Sequence, residues 1–296
     1  AIIPGVFLGE NGHAFIQVLN GVTGQSSYHT FPLSEFHASP AQLSIQVGAN
    51  IFNEKKIVLN LEQGSGRLSS IQGEVRLGEL SPWPVRVLSP GIMGWYAWMP
   101  FMECYHGVVS LDHAIEGELT VDGQSIAFGR GRGYIEKDWG KSFPDAWVWF
   151  QTNHFDQPGT CLTASIATIP WLGRSFAGFI IGLWHEKTLY RLATYTGAKV
   201  ESLEIEEDAV HWSVRDRRYR LEMHARRVEG GLLKGPSRLE MDKRVVETLN
   251  ASVSVRLARL DGTTLFEGQG RHAGLEVHNS LALVNLSKGD LEKEDK

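Results

Sequence analysis

Strict alternation of apolar and polar side chains, in short runs closed by turn dipeptides, is the feature that leaves this chain the fewest folds. Leu43, Ile45 and Val47 point one way, as do Ile57, Leu59 and Leu61. The pattern returns in Tyr219, Leu221, Met223 and Ala225, and again in Val253, Val255 and Leu257. A period of two puts successive side chains on opposite faces of a strand, whereas a helix needs a period near 3.6. No long segment carries the helical period; a single helical turn over 34–40, capped by Ser34, is the exception expected. Asn11-Gly12, Asp122-Gly123 and Asp261-Gly262 adjoin such runs, and these pairs accept the positive φ of tight hairpin turns. The chain is therefore expected to be all-β. Roughly 14 to 18 strands are expected, and ~8 already close a barrel around a small ligand. Two β-barrels or strongly curved sandwiches packed together are the expected architecture, with halves 1–140 and 141–296. Turns are also expected at 64–66, and a charged, frayed tail from residue 288.

Composition narrows the function. With 42% hydrophobic and 21% charged residues the chain reads as a soluble globular protein. Its net charge is −5 and it has no basic stripe, so nucleic acid is not an expected partner. The run 215–220, RDRRYR, reads as the solvated face of a strand. Two cysteines, Cys104 and Cys161, make no disulfide framework and read as buried structural thiols. No run reaches the ~18 apolar residues of a membrane span; Ala1-Ile2-Ile3 has neither a basic leader nor an initiating Met, so no signal peptide is expected and the chain is expected to start after removed residues. A cytoplasmic location is expected, with peripheral contact at a membrane surface left open. No His-x-His, His-Glu-x-x-His or Gly-x-Ser-x-Gly pattern occurs, which disfavours metal and serine hydrolases. The 129–133 stretch, GRGRG, is not a phosphate loop, since no Lys-Ser/Thr and no helix follow it.

The chemistry-bearing residues crowd into 101–155. Here lie the carboxylates Glu103, Glu136, Asp138 and Asp145, the histidines His106, His113 and His154, and the tryptophans Trp139, Trp147 and Trp149. Large aromatic surface mixed with ionisable groups is the composition of a pocket for an apolar ligand that undergoes proton chemistry. By alternation Tyr134, Glu136 and Asp138 share one face, while Trp147, Trp149, Gln151 and Asn153 share one face of the next strand. Upstream, 81–100 holds four prolines and three tryptophans without a period. It reads as an aromatic loop, either a lid over a pocket or a plug on a barrel end.

Met102-Glu103-Cys104 with His106, then Tyr134-Ile135-Glu136-Lys137-Asp138-Trp139-Gly140, then Ser142-Phe143-Pro144, Trp147, Trp149, Gln151 and Asn153, resemble as an ordered set the tocopherol cyclases and their bacterial relatives. The resemblance extends more faintly over most of the chain. It implies two lipocalin-like halves and a hydrophobic substrate, a prenylated aromatic or isoprenoid. It implies acid-catalysed chromanol formation, an intramolecular lyase reaction with no cofactor and no metal. Carried onto this sequence, Glu103 and Glu136 are the candidate acids. Asp138 stands where the plant enzymes typically have Asn and adds a second candidate or an ion pair. Trp139, Trp147 and Trp149 are expected to bind the tail and stabilise a cation; His106, Gln151 and Asn153 are expected to hold the head group. Members usually carry a Gly-Trp-Tyr segment near the start, which this sequence lacks. Two other functions stay open: a non-catalytic carrier of isoprenoids or lipids, and another hydratase or cyclase reaction on the same fold.

Overall fold

The computed structural model describes residues 1–62, 70–100, 102–171, 173–236, 240, 241 and 243–284. The turn expected at 64–66 and the tail from 288 lie outside them. Among the described residues the architecture is all-β, in 23 strand segments joined by short 3-10 turns. The excess over the sequence expectation comes largely from segments of two to four residues that are too short to show a period, such as Val85–Arg86 and Ser89–Pro90.

An eight-stranded antiparallel sheet runs from Phe36–Ala38 to Gly131–Gly140, and a three-stranded sheet (Ile2–Phe7, His13–Leu19, Ser26–Phe31) packs beside it. Ala14 and Ile16 from the small sheet meet Val47, Leu59, Leu61, Ile71, Val75 and Leu119 in one core. A ten-stranded antiparallel sheet holds the rest, from Trp147–Thr152 to Thr264–His278. It curls into a nearly closed barrel whose inner residues alternate along the strands. Val210, Trp212 and Val214, then Leu221, Met223 and Ala225, then Val253, Val255 and Leu257 are all at most 2–3% exposed. That is the two-residue period acting as the sequence demands.

Turn chemistry is also as the sequence reads it. Asp122 (φ 50°) and Gly123 (φ 79°) join Cys104–Val121 to Gln124–Ala127, the two positive φ values that a tight primed hairpin requires. The expected turn at 34–40 differs. A 3-10 turn spans Leu33–Glu35, no side chain caps it, and Phe36–Ala38 is strand. Pro32, with φ preset at −55°, starts the turn one residue early and removes Ser34 from the capping position.

Part of the proline- and tryptophan-rich stretch 81–100 packs between the two large sheets. Trp83, Ile92, Met93 and Met102 form a buried cluster with Val108 and Leu111 from one sheet and Cys161 from the other. The plug reading is the one realised at Trp83, whose ring lies directly on Gly182. A Cβ at residue 182 would stand 2.3 Å from that ring. Gly182→Ala is therefore expected to cost about 1–3 kcal/mol of stability through overpacking, read as a lowered midpoint in urea. A midpoint equal to that of the parent chain would mean the Trp83 contact is soft. The N-terminal sheet also ties to the second half: Gln17 exchanges hydrogen bonds with the backbone of Lys234 at 2.7 and 3.2 Å.

Candidate active site at the seam between the large sheets

The strand Cys104–Val121 pairs with Gly131–Gly140 so that His106 faces Asp138 and Val108 faces Glu136. Cross-strand partners point to the same side of a sheet, so His106, Glu136 and Asp138 share one face, and Tyr134 joins them by alternation. His106 Nδ1 lies 2.7 Å from Asp138 Oδ1, and its Nε2 lies 3.7 Å from Glu136 Oε2. Tyr134 donates its hydroxyl to Glu136 Oε2 at 2.7 Å and also reaches Thr163 Oγ1 at 3.3 Å on the opposite sheet.

The facing wall comes from the ten-stranded sheet. In its register Trp149 lies beside Glu276, and Glu276 beside Glu247. Trp147 donates its indole N–H to Glu276 Oε2 at 2.7 Å. The Trp149 ring covers Gly274: a Cβ there would be 2.8 Å from the ring and 3.7 Å from Glu247 Oε1. Four carboxyl groups from three strands, Glu136, Asp138, Glu247 and Glu276, thus gather near two indoles, a phenol and an imidazole.

The environment decides the charges. Burial pushes the Glu136 carboxyl up to about 7, against the pull of His106; Asp138 reinforces the rise. Burial likewise carries Glu276 to about 7, with Glu136 and Asp138 adding to it, and Glu247 to about 8, with Glu276 adding. For His106, burial opposes the charged ring, but the hydrogen-bonded Asp138 carboxylate and Glu136 win and raise it to about 9. The result is a protonated His106 ring hydrogen-bonded to Asp138, next to carboxyls that keep their protons to higher pH than free glutamates do. Among the buried side-chain polar atoms without a hydrogen-bond partner, His106 Nε2 and Trp149 Nε1 belong to this cluster. Both are donors that a ligand oxygen could satisfy.

The remaining sequence candidates sit differently. Trp139 is on the other face of its strand, 47% exposed, stacked on Tyr105 at 5.4 Å and under Lys137. The structure does not bring it to the cluster. Glu103 lies just before its strand, and its backbone carbonyl accepts from Lys141 N at 2.8 Å. Gly140, at φ 152°, permits that approach, since a Cβ would be 2.2 Å from the Glu103 oxygen. Gln151 donates to Cys161 Sγ at 3.7 Å. Asn153 is spent on structure, donating to Gly133 O and to the buried Asp112 that Arg132 grips. Among the described residues no His/Cys/Asp/Glu group is placed to hold a metal ion. Clefts of about 230 and 480 Å³ open elsewhere, the first at His13 and Tyr28, the second at Arg86 and Tyr195.

Residues 14–279 match the family described as tocopherol cyclase-like. The chain belongs to the tocopherol cyclase-like family. A chloroplastic tocopherol cyclase of Zea mays is 29% identical over 110 residues, 35% of this chain and 23% of that protein. A chloroplastic protein of Oryza sativa subsp. japonica, described as a probable tocopherol cyclase, is 31% identical over 109 residues, with the same coverage. The match thus spans less than a quarter of those relatives. The solved structure of CghA is similar in fold, with a TM-score of 0.50 at 11% identity, covering 90% of this chain and 80% of that one.

In this tocopherol cyclase-like chain, sequence reading missed Tyr134 as a site residue, and it missed Glu247 and Glu276 altogether. The available signal was a carboxylate flanked by apolar residues inside a strand: Val246-Glu247-Thr248 and Leu275-Glu276-Val277. The cluster makes stability depend on pH. The three glutamates bind protons more tightly folded than unfolded, so stability falls as pH rises from about 4.5 to about 8. His106, raised above 6.5, contributes fully below that value and loses its contribution as pH passes 9. Both act in one direction: urea midpoints are expected to be higher at pH 5 than at pH 9. Glu247→Gln should flatten the pH 5–8 portion. A profile unchanged by that substitution would mean Glu247 does not hold its proton.

Proposed function

We propose that this chain catalyses acid-driven closure of a chromanol ring on a prenylated quinol, with Glu136 as the proton donor. The observation that carries the reading is a carboxyl that burial keeps protonated up to about pH 7, hydrogen-bonded to Tyr134 and set against the sheet that carries Trp147 and Trp149. Protonation of the prenyl double bond at its less substituted carbon leaves a tertiary cation. Indole faces stabilise such a cation through their negative π surface. The phenolic oxygen then bonds to the cationic carbon, and the phenolic proton passes to the Glu136 carboxylate, restoring the acid. Atoms and charge balance without an oxidant or reductant.

His106 and Trp149 supply the head-group contacts in this reading, because His106 Nε2 and Trp149 Nε1 make no hydrogen bond and can donate to the quinol oxygens. Asp138 acts through His106 by keeping the ring protonated. Residues 1–140 then furnish the acid wall and residues 141–296 the aromatic wall, so the site needs both halves. In this reading Trp139 is not a participant, Glu103 remains the alternative acid, and Gln151 and Asn153 support the walls from behind.

The test is anaerobic incubation of the full chain with 2,3-dimethyl-5-phytyl-1,4-benzoquinol, followed by chromatography and mass measurement. A chromanol formed faster than in a heat-killed blank is the expected result. Saturable binding of the quinol without product would make the chain a carrier and end the catalytic reading.

A further inference from the structure

Away from the carboxyl cluster, apolar side chains concentrate at one exposed tip. Val85 is 74%, Val87 83% and Leu88 84% exposed, and Trp98 is 62% exposed. They belong to one small device. Val85–Arg86 pairs with Ser89–Pro90, so Val87 and Leu88 form the turn of a hairpin. Trp98 donates its indole N–H to Val87 O at 3.1 Å, which fixes that ring against the hairpin. Trp95, 40% exposed, meets Trp171 edge-on at 6.4 Å, and Trp171 ends the strand of a neighbouring hairpin beside the exposed Arg174.

The charge here is one-sided. Arg86 and Arg191 line a single cleft with Val87, Leu88 and Tyr195. The stretches 80–102, 169–184 and 189–200 contain no Asp or Glu, in a chain whose net charge is −5. Aliphatic side chains on a projecting turn, tryptophans just behind them and arginines that form no ion pair among the described residues suit one partner chemistry. Aliphatics enter an acyl region, indoles sit at the headgroup level, and guanidinium groups match phosphate. A second copy of the chain is a poorer fit, because a two-fold contact through this patch would set the same arginines against one another.

We propose that the face formed by the 85–90 hairpin, Trp95, Trp98, Arg86 and Arg191 docks on an anionic phospholipid bilayer. The docking stands independently of the reaction proposed above. The hairpin leads directly into Ile92 and Met93, and Met93 Sδ lies 3.1 Å from the backbone N of His106. The docked face is therefore linked to the cluster through Met93, which packs in the buried core between them.

The experiment is co-sedimentation of the full chain with extruded vesicles of phosphatidylcholine alone and of phosphatidylcholine mixed with phosphatidylglycerol. Binding to the mixed vesicles, weakened by added salt, is expected. A Val87→Asp/Leu88→Asp variant should lose binding by at least about tenfold, and Arg86→Gln or Arg191→Gln by about fivefold each. Circular dichroism and melting of each variant should match the parent, since the replaced side chains lie at the surface. Absence of vesicle binding, binding undiminished in the double variant, or equal binding to neutral vesicles would overturn the proposal. So would a dimer seen by size exclusion and lost in the double variant while vesicles stay unbound. Turnover of detergent-dispersed quinol by the double variant reads the reaction separately: its absence in the parent chain would sink the proposed reaction and leave the vesicle result intact.

Discussion

Glu136→Gln is expected to lower chromanol formation by a factor on the order of 10³, within the 10²–10⁴ that a positioned general acid supplies. The amide keeps the volume and an oxygen that can still accept the Tyr134 hydroxyl at the 2.7 Å distance seen here. Fold and quinol binding should therefore survive, and the loss should fall on the rate of the bound complex. The parent rate should decline as pH rises through about 7, because burial holds the proton on Glu136 only up to that point. The residual rate of the variant should lack this limb. Glu103→Gln serves as the control, with activity close to the parent. If the Glu136 variant turned over at the parent rate, or if Glu103→Gln were the inactive one, the assignment of the acid would be wrong.

The largest effect on stability is expected at Arg132. Asp112 is 2% exposed, and Arg132 contacts both of its oxygens, with Nε 2.9 Å from Oδ1. Asn153 adds a contact to Oδ1 at 3.2 Å. Arg132→Met leaves a buried carboxylate with one amide for company, and breaking such a pair costs about 3–5 kcal/mol. A double variant, Asp112→Asn with Arg132→Met, removes the stranded charge and should recover much of the loss. Urea unfolding measures both. A single variant within about 1 kcal/mol of the parent, on the scale of an exposed ion pair, would show that water reaches Asp112 and the grip matters little.

Much of the fold was readable because two-residue alternation needs only local sequence. Leu221, Met223 and Ala225 are buried in the barrel as their spacing demands. The shared face of Tyr134, Glu136 and Asp138 was readable for the same reason; Trp139 was expected at the site from the family resemblance, although its odd position puts it on the opposite face. What local sequence cannot carry is register between distant strands. Bulges between Val108 and Ser110 and between Ser110 and His113 set which residues of 131–140 face which of 104–121. Glu247 and Glu276 reach the site only through pairings with strands more than a hundred residues earlier or through one another. Asn153 looked like a head-group ligand because amides are versatile; only the position of Asp112 shows that its hydrogen bonds are committed. The Ser34 cap failed for a smaller reason, since Pro32 had already begun the turn.

The contact between Tyr134 and Thr163 joins an acid-bearing strand to a wall contributed by the other sheet. This has a meaning for how such a chain can change over time. Exchange of one half for that of a relative would transplant Glu136 and His106 without Glu276 and Glu247, or the reverse. In the proposed reaction the proton affinity of Glu136 depends on groups from both large sheets, so recombination between them would detune it even where every residue of each part was kept. Variation in ligand shape can accumulate piecemeal in either wall; variation in acidity has to be inherited from the two together.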